Sequence, residues 1–315
     1  MESFKGESII DFFDTFKTDL DCLEYLASIK WKGAFKCSKC NHNKFTIRKL
    51  NYARDCNLCH HVESPTANTI FHKVKFGIRK AFGIVFEMSA TTKSLSSSQM
   101  AKRYSISRPT AWLFMHKVRS AMKSSELNPV VGTVYVDEFV YGGKEDLKQG
   151  RSNDSKKKKI VAAVEIDDEG GIKRAYFKRI DDYSSDELGK IFHSHISTQA
   201  KVKTDKWSGY KPLKREYDIE QIKSNTSDFF QINTIIHQVK SWLRSTYSWM
   251  HEQNIEKYLD EYSYRLNRSI HKQTIFDNLI TRMINKKPIG LQTIKTSRCS
   301  GCTKQRRTKR RYHSV

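Results

Sequence analysis

The sequence predicts an α/β chain: a mixed sheet with flanking helices over residues 130–270, preceded by a small cysteine-bearing ribbon and a helical segment. Three observations predict it. Val131–Lys144 (VGTVYVDEFVYGGK), Ile160–Ile166 (IVAAVEI) and Ile172–Ile180 (IKRAYFKRI) are β-branched and aromatic runs separated by turns and polar loops. Two apolar stripes of helical period follow, Ile232 to Leu243 and Ile255 to Leu266. Upstream, Cys37-Ser-Lys-Cys40 and Cys56-Asn-Leu-Cys59 bracket a short basic segment.

At 315 residues the chain has room for two or three domains. Lys and Arg number 57 against 34 Asp and Glu, a net +23 with pI near 9.7. Such an excess points to a polyanionic partner but names no chemistry. No apolar run reaches the ~18 residues of a membrane span, and MESFKGESIIDFF lacks a signal-peptide pattern, so a cytoplasmic, nucleoid-associated protein is expected. In that compartment the seven cysteines, three CxxC pairs and a lone Cys22, point to metal more than to disulfides.

In chain order, residues 1–30 read as helical. Leu20, Leu23, Leu26, Ala27 and Lys30 follow the helical period, Asp19 or Asp21 can start the helix, and Cys22 reads as a small core residue. The two CxxC pairs then form C-x2-C-x15-C-x2-C, the spacing of a four-thiolate zinc site, with Cys37, Cys40, Cys56 and Cys59 as ligands and KFTIRKLNYARD as a hairpin. His42, His60 and His61 lie near, but four cysteines already complete a tetrahedron. Lys36, Lys39, Lys44, Arg48, Lys49 and Arg54 suit nucleic-acid contact or a plain solvated face. From Phe76 to Met122 the chain is helical again. SLSSSQMAKRYSISRPTAW resembles a helix-turn-helix, with Ser107 capping a second helix whose first turn accepts Pro109. Ala111, Met115, Val118 and Met122 mark its apolar face. In a recognition helix Arg108, Thr110 and Lys117 would face a DNA groove; the alternative is an ordinary helical hairpin.

Asn128-Pro129 opens the central domain. Asp137 and Glu138 sit inside an apolar strand that stops at Gly142-Gly143. A carboxylate there is costly unless it is hydrogen-bonded or holds a cation, so Asp137 is a metal ligand or a plain strand-end acid. Glu138, one residue on, should point to the opposite face. Ser184-Ser-Asp-Glu opens a helix toward Ile196, and a strand over Ala200–Thr204 delivers Asp205 before KWSGY. Three strands, a helix and a fourth strand, with acids on the first and after the fourth, is the order of an RNase H-like fold. Residues 211–231 read as irregular. Cys299-Ser-Gly-Cys302 offers half a zinc site, idle or completed in trans, and KQRRTKRRYHSV reads as disordered.

A cysteine ribbon, helices, VDEFVYGGK, KTDKWSGY, INTIIHQVKSWLRSTY and YLDEYSYRLNRS in that order resemble the transposases of ISXO-type insertion sequences, a DDE-superfamily group. The resemblance covers roughly residues 15–270. It implies a catalytic set of Asp137, Asp205, Asn233 and Lys240, the first three binding two Mg²⁺ (or Mn²⁺) and the fourth two helical turns beyond the third. Asn233 is neutral where the superfamily usually has Glu, and His237, with Arg244 seven residues on, is a rival. Glu261, Arg265 and Arg268 match a Glu-x3-Arg-x2-Arg signature that holds DNA phosphates or braces the helix. The implied partners are double-stranded DNA, both terminal inverted repeats and target, and further copies of the chain, at least a dimer. An inactive DNA-binding derivative and an RNase H-like nuclease without strand transfer are the alternatives. The expected organisation is a helical segment (1–34), a zinc ribbon (35–72), a helix-turn-helix-like region (73–127), an RNase H-like catalytic domain (130–270) and a basic disordered tail (271–315).

Overall fold

The computed structural model describes residues 3–6, 8–90, 94–124, 126–143, 157–223, 229–247 and 250–296. Two short helices come first, α1 (Ile9–Thr15) and α2 (Asp19–Lys30). Thr18, rather than either aspartate, caps α2: its hydroxyl accepts from the Asp21 amide while the Asp21 carboxylate accepts from the Thr18 amide. Cys22, Tyr25 and Leu26 are buried as core residues, whereas Leu20 is exposed.

The ribbon is a three-stranded antiparallel sheet of β1 (Phe45–Arg48), β2 (Ala53–Cys56) and β3 (Val62–Glu63). Its small core is Phe35 and Trp31 against the cysteines, with Arg54 stacked over Trp31 and Phe45. Three helices follow: α3 (Ile78–Ala90), α4 (Ser97–Tyr104) and α5 (Arg108–Met122). The α4–α5 turn forms as read from sequence, with Ser105 left-handed (φ 48°) and the Ser107 hydroxyl accepting from the Thr110 amide.

The central sheet has the order β6-β5-β4-β7-β8, built from β4 (Thr133–Tyr141), β5 (Lys158–Ile166), β6 (Ile172–Ile180), β7 (Lys201–Thr204) and β8 (Asp218–Gln221). β4, β5 and β6 form an antiparallel meander, and β7 and β8 run parallel to β4. This mixed sheet is the predicted RNase H-like core. Strand alternation divides its faces. Val134 and Val136 of β4 pack with Leu188, Ile191 and Phe192 of α6 (Ser185–His195). Tyr135 and Phe139 pack with Ile232, Ile235, Ile236 and Val239 of α7 (Phe230–Thr246) and with Ile255 and Leu259 of α8 (Ile255–Leu266).

Two sequence expectations are overturned. β8 lies within the stretch read as irregular; it is a four-residue edge strand whose one buried residue is Ile219, too short for a periodic signal. The expected disordered tail is also wrong up to residue 296. α9 (Lys272–Ile284) buries Ile275, Phe276, Leu279, Ile280 and Met283 in one core with α1 through α5, and α10 (Leu291–Thr296) follows. A full apolar face forces a helix whatever the charge of the residues beyond it. Cys299, Cys302 and the basic run after them lie outside the described residues, as does most of the basic loop 145–159; Lys159 itself is buried in β5. Among the described residues no helix is long and apolar enough to cross a membrane.

Candidate active site and cysteine cluster

The four ribbon thiols converge. Cys37 and Cys59 Sγ are 3.6 Å apart, Cys40 and Cys56 Sγ 3.5 Å, and all four lie within 4.8 Å of one another. A disulfide needs about 2.05 Å, so none is formed. Four sulfurs each about 2.3 Å from a tetrahedral centre would be about 3.8 Å apart, which these separations approach. Both knuckles turn back identically: Asn41 N donates to Cys37 O and His60 N to Cys56 O, with Asn41 and His60 at positive φ. Burial opposes ionisation of Cys56, yet the Cys59 and Leu58 amides draw its thiol down to about 7. The donor set fits zinc, and the neighbouring histidines are not needed.

The acids meet at the end of the parallel strand pair. Pairing of β4 with β7 ends at Val136 opposite Thr204, so Asp137 and Asp205 emerge side by side. The sequence motif around Asp205 explains its position. Asp205 Oδ1 accepts from Trp207 N at 3.0 Å, closing a tight turn. Trp207 Nε1 donates to Tyr183 O, and Gln221 of β8 donates to the carbonyls of both Asp205 and Trp207. A Cβ on Gly209 would stand 2.7 Å from Tyr183 O, so only glycine passes there. Tyr210, fully buried, then donates its hydroxyl to Glu138 Oε1. Its pKa is driven far upward by burial first, then by Glu138, with Asp137 and Asp205 adding to it.

Glu138 is the residue that sequence reasoning left out of the acidic cluster. Oxygens of Asp137, Glu138 and Asp205 all lie within 4.8 Å of one another, and each residue is half-buried. Alternation does put Glu138 on the α6 side, but β7 has already ended beside it. With no neighbouring strand there, acids from both faces reach round one open edge. Tyr210, although inside KTDKWSGY, and Gln221 were not read as partners of the acids.

α7 flanks this edge. Phe229 packs on Tyr135 at 5.9 Å between centroids, and Lys240 Nζ lies 5.2 Å from the Phe139 ring. Four strand residues span about 13 Å and eleven helical residues about 16 Å, so α7 runs alongside β4 with Asn233 and His237 between these two contacts in the chain. Both are exposed, on one stripe with Lys240 and Arg244. Burial and Arg244 lower the Lys240 pKa, and attraction to Asp137 opposes them. His237, Lys240 and Arg244 line a cavity of about 540 Å³; Asn233 does not line it, and His237 is not part of the acidic cluster.

The other candidates separate. Arg108 is exposed at the start of α5, the Thr110 hydroxyl is 2.8 Å from the capping Ser107 hydroxyl, and Lys117 is half-buried. Arg265 is 10% exposed and faces the wholly buried Glu261 at 3.6 Å, a bracing position and not a DNA-facing one. Glu261 also accepts from Arg119 Nε at 2.7 Å and Ser94 Oγ at 2.5 Å, linking α8 to α5. Arg268 stacks on Tyr264 and donates from Nε to Asn278.

Three hard carboxylate donors round one edge suit Mg²⁺ or Mn²⁺, and a lysine beside them suits a phosphate. No curated protein matches the chain. Residues 129–267, the span holding the sheet, the three acids, α7 and α8, match the family model of the ISXO2-like transposase domain.

Proposed function

We propose that the protein binds the ends of an insertion sequence, cleaves there, and joins the freed 3′-hydroxyls to target DNA. The observation that carries this reading is the convergence of Asp137, Glu138 and Asp205 at one strand edge, with Lys240 interacting with Asp137 from the flanking helix. Asp137 and Asp205 hold divalent cations through carboxylate oxygens. Two such ions, when bound, activate the attacking oxygen and stabilise the leaving one. Glu138, oriented by Tyr210, supplies a third carboxylate, which offsets the neutral Asn233 of the family pattern. Asn233 contributes an amide oxygen or a hydrogen bond to substrate. Lys240, a compact cation, contacts a DNA phosphate. The exposed first turn of α5, with Arg108 foremost, and the ribbon recognise the ends, zinc holding the ribbon folded. Two ends must be paired, so the active species is at least a dimer, acting on nucleoid DNA in the cytoplasm.

The test is a Mg²⁺-dependent assay on labelled end DNA with a target plasmid. The reading expects joined product from the wild type, and none from Asp137→Ala or Asp205→Ala. Cleavage without joining would make the protein a nuclease, and binding without cleavage a regulator. Asn233→Ala should lose most activity and His237→Ala keep it; the reverse would reassign that position.

A further inference from the structure

A second polar cavity, of about 220 Å³, opens at the seam between β6, α8 and α9, lined among others by Arg174, Arg268 and Arg282. We propose that it is a phosphate site that seats one phosphate of the DNA backbone, apart from the acidic cluster.

Three arginines meet there, Arg174 from β6, Arg268 from the turn after α8 and Arg282 from α9. Among the described residues none of them forms an ion pair with a carboxylate. Like charges gathered in a partly buried cavity are unfavourable unless an anion joins them. Two of the three are already held in place. Arg268 lies 4.1 Å over the Tyr264 ring with Nε on Asn278, and Arg282 donates Nη1 to the carbonyls of Ala121 and Met122. Their ordering costs are met before any ligand arrives, which favours binding. Among the described residues Arg174 has no hydrogen-bond partner, and it is half-buried. The repulsion is felt: after burial, Arg282 and Arg174 both lower the Arg268 pKa, against Tyr264. The one acid lining the cavity, Asp260, is a weak counter-charge, its carboxyl pushed up to about 7 by burial and by Glu256 against three nearby lysines.

Size and position select the ligand. The volume equals about seven liquid waters, below the ~300 Å³ at which small-molecule pockets begin. A phosphate group fits; a nucleotide does not. Asp137 pairs with Ala162 and Ala162 with Phe177, three residues from Arg174. Two strand spacings and three residues put Arg174 about 14 Å from Asp137, so this is not the catalytic edge. Because α9 belongs to the N-terminal core and β6 to the sheet, one bound phosphate would bridge both units.

The inference takes from the proposed function only that DNA is the partner. The experiment measures duplex binding by the full-length protein, by fluorescence anisotropy from about 50 to about 200 mM NaCl. Arg174→Gln removes the one arginine with no structural bond. Its salt slope should be about 0.9 shallower than wild type, so that the salt rise costs it about 3.5-fold less affinity. Arg174→Lys should recover most of the slope, and ethylation interference should lose one phosphate in Arg174→Gln alone. An unchanged slope and footprint overturn the proposal. So does calorimetric binding of inorganic phosphate that Arg174→Gln abolishes while the DNA slope stays, which would make this a free-phosphate site. Loss of joining in Asp137→Ala is read in the separate cleavage assay, so failure of the catalytic reading stays distinct.

Discussion

Neutralising Glu261 should destabilise the protein by about 3–5 kcal/mol, the cost of leaving a buried ion without its partner. The structure supports the upper part of that range. Glu261 has no exposed surface and Arg119 only 2%, so solvent cannot take over either charge. The carboxylate accepts from Arg119 Nε at 2.7 Å and Ser94 Oγ at 2.5 Å, and it faces Arg265 at 3.6 Å. Glu261→Gln keeps volume and one acceptor while stranding two guanidinium groups. The effect belongs to the pair and not to packing if a cycle shows it. Arg119→Met should cost a similar amount, and the double variant Arg119→Met/Glu261→Met less than the sum, because it removes the Arg119–Glu261 pair together and leaves only Arg265 without its partner. Urea denaturation followed by tryptophan fluorescence and circular dichroism measures all three. A loss below about 1 kcal/mol for Glu261→Gln, or strict additivity in the cycle, would refute the reasoning.

His116 is 1% exposed, and neither ring nitrogen has a hydrogen-bond partner among the described residues; burial first, then Arg119 and Lys257, holds its pKa down at about 2. Its folded pKa lies below the unfolded value, so its full contribution holds above about pH 6.5 and falls by about 1.4 kcal/mol per unit as pH drops below that. His116→Leu should flatten this slope between pH 7 and 5 in urea titrations; an unchanged slope would assign it elsewhere. Zinc analysis of natively purified protein should give one ion per chain, lost in Cys56→Ser together with protease resistance of the ribbon. Gly209→Ala meets the Tyr183 carbonyl at 2.7 Å and should cost about 1–3 kcal/mol with a larger loss of cleavage, since the same turn carries Asp205. Tyr210→Phe should leave DNA affinity unaltered and weaken Mg²⁺ dependence of cleavage, read as a rise in the half-saturating metal concentration; no rise would remove Tyr210 from any role in orienting Glu138.

Much of the fold was legible because its signals are local. The cysteine spacing, the Ser107 cap with Pro109, and the runs at Ile160–Ile166 and Ile172–Ile180 need no knowledge of what lies opposite them. α9 was equally local, since Ile275, Phe276, Leu279, Ile280 and Met283 form a helical stripe, but the basic residues after it diverted the reading to a tail. β8 was not legible: four residues with one buried side chain carry no period. The signature residues Glu261 and Arg265 were legible as a pair yet not as to role. Their buried partner, Arg119, is 142 residues from Glu261 and makes the pair a brace between α5 and α8.

Glu138 shows where local rules stop. Alternation along a strand assigns the face from which a side chain starts, but beside an unpaired edge a long side chain can reach round toward the other face. β4 is flanked by β5 along its whole length but by β7 only as far as Val136. Past that point one edge is open, and a residue of either face can lean into the gap. The location of the gap depends on where β7 ends, which Asp205 itself determines by turning the chain onto Trp207. The third carboxylate therefore follows from the second, not from its own neighbours in sequence. A search confined to the α7 face looks for it at Asn233 or His237, two turns of helix that supply no acid, while the acid lies one residue from Asp137 on the far side of the same strand. The electrostatic field at the strand edge that Tyr210 registers is that of three acids, Glu138 first among them.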